Sequence, residues 1–164
     1  MSIHNEALFD QSEIEGLEGL NIAIIHTRWN NFIVDELVNG CREVLAKNKV
    51  ENIDHRQVPG SIELTFACQR YFEATCNTTR RPDAIIAFGC VIKGETPHFD
   101  YVCESVTQGI TQLNLQLPIP VIFGLLTVNN VAQAKERIGG AHGHKGEEAA
   151  ISALQMIAFN KELG

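Results

Sequence analysis

The sequence has no run of basic residues, and its 13 Lys and Arg are outnumbered by 20 Asp and Glu. The electrostatic footprint of a nucleic-acid or anionic-lipid binder is therefore missing. No apolar run approaches the roughly 18 residues that a membrane span needs, and the start has neither the basic stretch nor the apolar core of a secretory signal. These absences predict a soluble protein. Cysteine occurs five times, at positions 41, 68, 76, 90 and 103, an odd number without a C-x-x-C pair. That argues against a disulfide framework or a structural zinc site. Cys41, Cys68, Cys76 and Cys103 are expected to be small core residues in a reducing compartment. No internal repeat or low-complexity tract is present.

What is there fits one globular domain: 164 residues, 45% hydrophobic and 20% charged. The charge is unevenly placed. Residues 1–19 carry Glu6, Asp10, Glu13, Glu15 and Glu18 without a Lys or Arg, five of the seven net negative charges. A leader this polar cannot bury much surface alone, so it is expected either to be disordered or to lie against something else. Residues 20–164 form the expected single α/β domain.

From Leu20 onward, short apolar runs alternate with helical periodicity. Leu20–Ile25 suits a strand covered on both faces. Asn30 or Asn31 can cap a helix through Val34, Leu37, Val38, Cys41, Val44 and Leu45. Ile53–Val58 is a polar edge strand, broken by Pro59-Gly60, with Ser61 a candidate cap for a helix through Leu64, Cys68 and Phe72. Ala84–Ile92 is the most strand-like segment. A helix follows from Phe99, then a buried strand over Val121–Leu126, a short helix over Asn130–Ile138 and a loop over Gly139–Gly146. A last helix is expected from Glu147 to about Asn160. This alternation predicts a three-layer, flavodoxin-like α/β sandwich, a four-stranded parallel sheet with helices on both faces. Ligands of such sheets bind beyond the carboxyl ends of the strands.

Chemistry-bearing residues collect in those end loops. Gly89 and Gly94 have P-loop spacing, but Glu95 stands where that motif needs Lys, so a nucleotide P-loop is rejected. A glycine and the Thr96 hydroxyl ahead of a helix still offer unpaired N–H groups to an anion, and His98 lies close enough to pass a proton. Taken alone, the segment reads equally as a capped helix with a surface histidine. Trp29, the only tryptophan, either fills the core or stacks on a planar ligand. Glu63 either accepts from ligand hydroxyls or complements a helix dipole. Arg137 and Lys145 flank a loop with His142 and His144, too few ligands for a metal site. Cys90 stands at the strand end, where a thiol could make activity sensitive to oxidation.

Together these segments resemble the lumazine synthase family. The residues that carry the likeness are R-W-N at 28–30, V-P-G-S-I-E at 58–63, G-C-V-I-K-G-E-T-P-H-F at 89–99, P-V-I-F-G-L-L-T at 120–127 and H-K-G-E-E-A-A at 144–150. The resemblance implies condensation of 5-amino-6-(D-ribitylamino)uracil with 3,4-dihydroxy-2-butanone 4-phosphate, with no metal and no organic cofactor. It implies that Trp29 stacks on the pyrimidine, that Ser61, Ile62 and Glu63 hold the ribityl chain, and that Cys90, Val91 and Ile92 read the ring edge through main chain. Glu95, Thr96 and Arg137 match the phosphate cradle, Lys145 a nearby basic residue, His98 the proton carrier, and Phe123 an aromatic wall supplied by the adjacent subunit. Trp29, Lys93, Glu95 and His144 depart from the commonest family pattern. Glu95 is expected to bind only through its N–H.

The resemblance also implies a cytoplasmic homo-oligomer with active sites between subunits, a pentamer or a shell of 60 chains, in which residues 1–19 order only against a neighbouring subunit. Riboflavin synthase is the candidate protein partner, and no nucleic acid or membrane is expected. Two other readings compete on the fold alone: a flavodoxin-like binder of flavin or ribityl ligands without turnover, and a shell protein.

Overall fold

The computed structural model describes residues 18–164. The acidic leader expected over residues 1–19 therefore lies almost entirely outside the described residues. Strands β1 (Asn21–Thr27), β2 (Asn52–Val58), β3 (Ala84–Ile92) and β4 (Val121–Val128) form one sheet in the order β2-β1-β3-β4. Every pairing is parallel. Helices α1 (Asn31–Lys47), α2 (Glu63–Thr75) and α3 (His98–Gln116) follow the first three strands, and the short α4 (Val131–Lys135) follows β4. A small antiparallel hairpin, β5 (Ile138–Gly140) and β6 (Gly143–His144), leads into α5 (Lys145–Glu162).

Side-chain alternation along the strands sorts the core into two layers. Ile22, Ile24, Ala84, Ile86, Phe88 and Cys90 face α1 and α5, with Leu37, Val38, Cys41, Ala150 and Leu154. Ala23, Ile25, Ile85 and Ala87 face α2 and α3, with Leu64, Cys68, Val106 and Ile110. The expected three-layer parallel architecture is present. β2 is the polar edge: its Asp54 accepts from Arg56 at 2.8 Å and from the Tyr71 hydroxyl at 2.9 Å. Charged side chains on an edge strand discourage unwanted pairing. Among the described residues, no helix is long and apolar enough to cross a membrane.

Three local expectations are corrected. Asn30 occupies the cap position of α1, but its side chain makes no capping bond, because its backbone is left-handed at φ 57. Ser61 does not cap α2, which starts at Glu63 after Ile62. The segment 139–146 is not a plain loop: it holds the hairpin, and α5 begins two residues before Glu147. There the His144 imidazole accepts from the Gly146 N–H at 3.2 Å and acts as the cap.

The strand order decides where a ligand would lie. From β1 the chain steps outward to β2, then crosses back to β3 and β4 on the other side. The β1/β3 boundary is therefore the topological switch point, where the loops leaving the two strands part and open a crevice.

Candidate active site at the β1/β3 switch point

The loop leaving β1 is fixed by its neighbours. Thr27, fully buried, donates through its hydroxyl to the Trp29 carbonyl at 3.1 Å. The N–H groups of Arg28 and Trp29 donate to the carbonyls of Val58 and Pro59, at 2.9 and 3.1 Å. The two loops thus run side by side past the sheet edge. On this footing the Trp29 side chain is 74% exposed. An indole held by its backbone and left open to solvent does not fill the core of this chain, and its face is free for a planar ligand.

Asn30 ties this loop to β3: its side-chain amide donates to the Cys90 carbonyl at 2.8 Å. Asn is among the few residues other than Gly that adopt a left-handed backbone readily. The last β1 partner on β3 is Phe88, while β4 pairs with β3 through Ile92. The Cys90 carbonyl, just past that end, is occupied by Asn30. Ile92 presents its main chain to the same side two residues further on, beyond the reach of β1. The strand-end main chain is thus divided, with the Cys90 carbonyl structural and Ile92 the open position.

Next to it, the Pro59–Glu63 turn is closed by the Gly60 N–H donating to Glu63 Oε2 at 2.9 Å. Glu63 therefore braces its own turn from the first turn of α2 and keeps Oε1 uncommitted. Ile62 projects into solvent. Ser61 lies against Gly89, where an added Cβ would come within 3.0 Å of its hydroxyl oxygen.

Beyond β3, the Lys93 N–H donates to the Val128 carbonyl at 2.8 Å, and Gly94, Glu95, Thr96 and His98 are all exposed. Helix α3 starts at His98, one residue earlier than its apolar periodicity indicates. Pro97, which precedes it, gives no side-chain cap. The first N–H groups of a 19-residue helix are left without capping partners, with the positive end of its dipole behind them. The Cys90 thiol is 3% exposed, and burial pushes its pKa up to about 11. A thiol so held carries little thiolate near neutral pH, which argues against an oxidation-sensitive group.

Phe123 stands in mid-strand on β4, opposite Ala87. Ile92 is five residues further along β3, roughly 16 Å at the usual rise per residue. Arg137 and Lys145 flank the hairpin, just before β5 and at the first position of α5. Arg137 Nη2 donates to both carboxylate oxygens of Glu148, at 2.8 and 2.9 Å, and Nη1 donates to the His142 carbonyl. Lys145 Nζ is 3.6 Å from Glu148 Oε2. No hydrogen bond or ion pair among the described residues joins either cation to the Gly94–His98 segment. Trp29, Ser61–Glu63, Cys90–Ile92 and Glu95–His98 thus all stand at or just past the carboxyl ends of β1, β2 and β3. Phe123 lies within β4, and Arg137 and Lys145 are engaged by Glu148.

Comparison with known proteins now adds to this geometry. The sequence profile of the 6,7-dimethyl-8-ribityllumazine synthase family matches residues 19–161. The chain belongs to that family. It is similar to the 6,7-dimethyl-8-ribityllumazine synthase of Parabacteroides distasonis, 46% identical over 95% of this chain and 96% of that one. The protein of the same name from Bacteroides fragilis is 49% identical over 85% of this chain and 96% of that one. Lumazine synthases are ring-forming transferases that act at the penultimate step of riboflavin biosynthesis.

Residue reasoning missed the tie between Asn30 and Cys90, and gave Glu148 no role. Asn30 lay inside a quoted motif, but its bond spans 60 residues of sequence. Glu148 was visible only as one of two acids in the first turn of a helix.

Proposed function

We propose that this lumazine synthase condenses 5-amino-6-(D-ribitylamino)uracil with 3,4-dihydroxy-2-butanone 4-phosphate, releasing orthophosphate and 6,7-dimethyl-8-ribityllumazine. The observation that carries this reading is the switch-point crevice, where an exposed indole, an open strand-end main chain and an uncapped helix start bearing His98 converge. Trp29 stacks on the pyrimidine, and the Ile92 main chain reads its edge. Ser61, Ile62 and the free oxygen of Glu63 receive the ribityl chain. The phosphate docks on the N–H groups of Glu95 and Thr96 and the Thr96 hydroxyl at the start of α3.

The uracil's 5-amine attacks the ketone and water leaves, giving an imine. A proton is lost from carbon and phosphate departs with its bonding electrons. The ribitylamino nitrogen then closes the ring with loss of a second water. His98, one turn from the phosphate position, takes and returns the protons of these steps. Holding two already reactive partners in line is the larger contribution.

The placement of Phe123, Arg137 and Lys145 supports active sites shared between subunits, in a cytoplasmic pentamer or a shell of 60 chains with riboflavin synthase as its partner. Each chain would then give its crevice to one site and its cations and Phe123 to the next. The test mixes the purified protein with both substrates in EDTA and follows lumazine absorbance and phosphate together, with light scattering for the assembly. One phosphate per lumazine, well above the spontaneous rate, is expected. No acceleration by folded, assembled protein refutes the assignment.

A further inference from the structure

We infer that Glu148 is a positioning residue for the phosphate-binding cations, an inference that rests on the reading of Arg137 and Lys145 as phosphate ligands. Its carboxylate lies between them: both oxygens accept from Arg137 Nη2, and Oε2 is 3.6 Å from Lys145 Nζ. The Glu148 side chain is 18% exposed and that of Arg137 19%, so this pair is partly shielded from solvent, unlike a freely solvated surface contact. Arg137 Nη1 is fixed as well, by the His142 carbonyl. A guanidinium has five N–H donors in one plane. With Nη2 facing Glu148 and one Nη1 hydrogen on His142, the Nε hydrogen and the other Nη1 hydrogen remain for a ligand.

The base beneath this group is equally constrained. The His144 ring lies on Gly40 of α1, where an added Cβ would stand 2.3 Å from Cε1. Gly146 meets the Leu37 backbone at a distance that no side chain allows. The hairpin therefore presents its cations from a fixed platform, and Glu148 selects the direction in which they point. It also reduces their combined charge from two to one. That weakens simple attraction for phosphate but leaves the cations preorganised, so no reordering is needed when the anion arrives.

Positioning and mere charge screening give opposite signs. If Glu148 only screens, Glu148→Ala and Glu148→Gln free two cations and tighten phosphate binding. If it positions, both variants raise the KM of the butanone phosphate, by about tenfold for Glu148→Ala, and weaken inhibition by inorganic phosphate in parallel. The KM of the aminouracil stays unchanged and kcat stays within about threefold. Glu148→Asp, which keeps a carboxylate, recovers part of the loss. Adding Glu148→Ala to Arg137→Ala costs less than it does in the parent, because the residue acts through Arg137.

Arg137→Ala separates the two levels of the argument. If it leaves the phosphate KM unchanged, the assignment of the cations and this inference fall together. If it raises that KM and the Glu148 variants do not, only this inference falls. Tighter phosphate binding, or an equal rise in both KM values, also overturns it. Glu148→Gln is nearly isosteric and provides the reading if Glu148→Ala fails to fold.

Discussion

Gly146→Ala sets local propensity against packing. Alanine is the better helix former by about 1 kcal/mol, so a view confined to α5 expects the variant to be more stable. The added methyl, however, would lie 2.0 Å from the Leu37 carbonyl oxygen and 2.8 Å from its carbon. Those atoms belong to the backbone in the middle of α1, and the Leu37 side chain is fully buried. Relief requires the start of α5 to retreat by roughly 1 Å or more, and overpacking of this kind costs about 1–3 kcal/mol. Contact with main chain rather than with a flexible side chain puts this case in the upper part of that range, about 2–3 kcal/mol, so after the gain in propensity a net loss of about 1–2 kcal/mol is expected. For a chain of this size that lowers Tm by roughly 2–8 °C. The hairpin moves with the helix, so the KM of the butanone phosphate rises as well. Gly94→Ala is the control: its Cβ would meet nothing within 4 Å, and stability should stay within about 0.5 kcal/mol. Calorimetry of the assembled protein reads both variants. An unchanged or raised Tm for Gly146→Ala refutes the packing argument.

His98→Ala should slow turnover at least tenfold, by about 1.4 kcal/mol, with a smaller change in either KM; a rate within twofold of the parent removes the proton-transfer role. His26 and His55 meet edge to face with ring centroids 6.4 Å apart, and His26 Nδ1 and His55 Nε2 are buried without hydrogen-bond partners. Burial is the first cause of a lowered pKa in both, reinforced at His55 by Arg42 and opposed at His26 by Asp35. Their contribution to stability is complete above the unfolded value of about 6.5 and is lost as pH falls toward the folded values. Tm should therefore drop between pH 7.5 and 5, and His55→Gln should flatten that slope; an identical slope in the variant counts against the pair. Alkylation at pH 7.5 should leave Cys90 unmodified in the native protein, as mass spectrometry of the digested chain would show. Rapid labelling of Cys90 would mean that its strand end opens.

Much of this fold could be read from the chain itself, because the sheet is buried on both faces. β3 was expected over Ala84–Ile92 and occupies those residues, since a continuous apolar run between a proline and a glycine has few other uses. Three-and-four spacing marks the helices, with ends off by a residue or two where the cap is unusual, as at Pro97 and His144, and by three at α4, which stops at Lys135 because Ile138 turns into β5. The hairpin was hidden because two glycines with positive φ, Gly139 and Gly143, and two histidines look like a loop until His144 finds Gly40. At the site, Trp29 and His98 could be singled out because their side chains are unusual for their positions. Asn30 and Glu148 could not. Their importance lies in what they touch, a carbonyl 60 residues away and an arginine 11 residues away.

Helix α1 connects these two groups of residues. It leaves the Trp29 platform at Asn31 and, nine residues later, gives His144 its seat at Gly40, a span of about 14 Å along the axis. On the proposed reading, in which neighbouring subunits share sites, it would act as a spacer whose length fixes how far the crevice of one chain stands from the cations it lends to the next. Inserting one residue between Asn31 and Gly40 would turn the seat by about 100° and carry it 1.5 Å along. Identical copies arranged around an axis would inherit that error at every contact. In such a ring the spacing that serves catalysis would be the same spacing that lets the ring close, and a change in either would have to be tolerated by both.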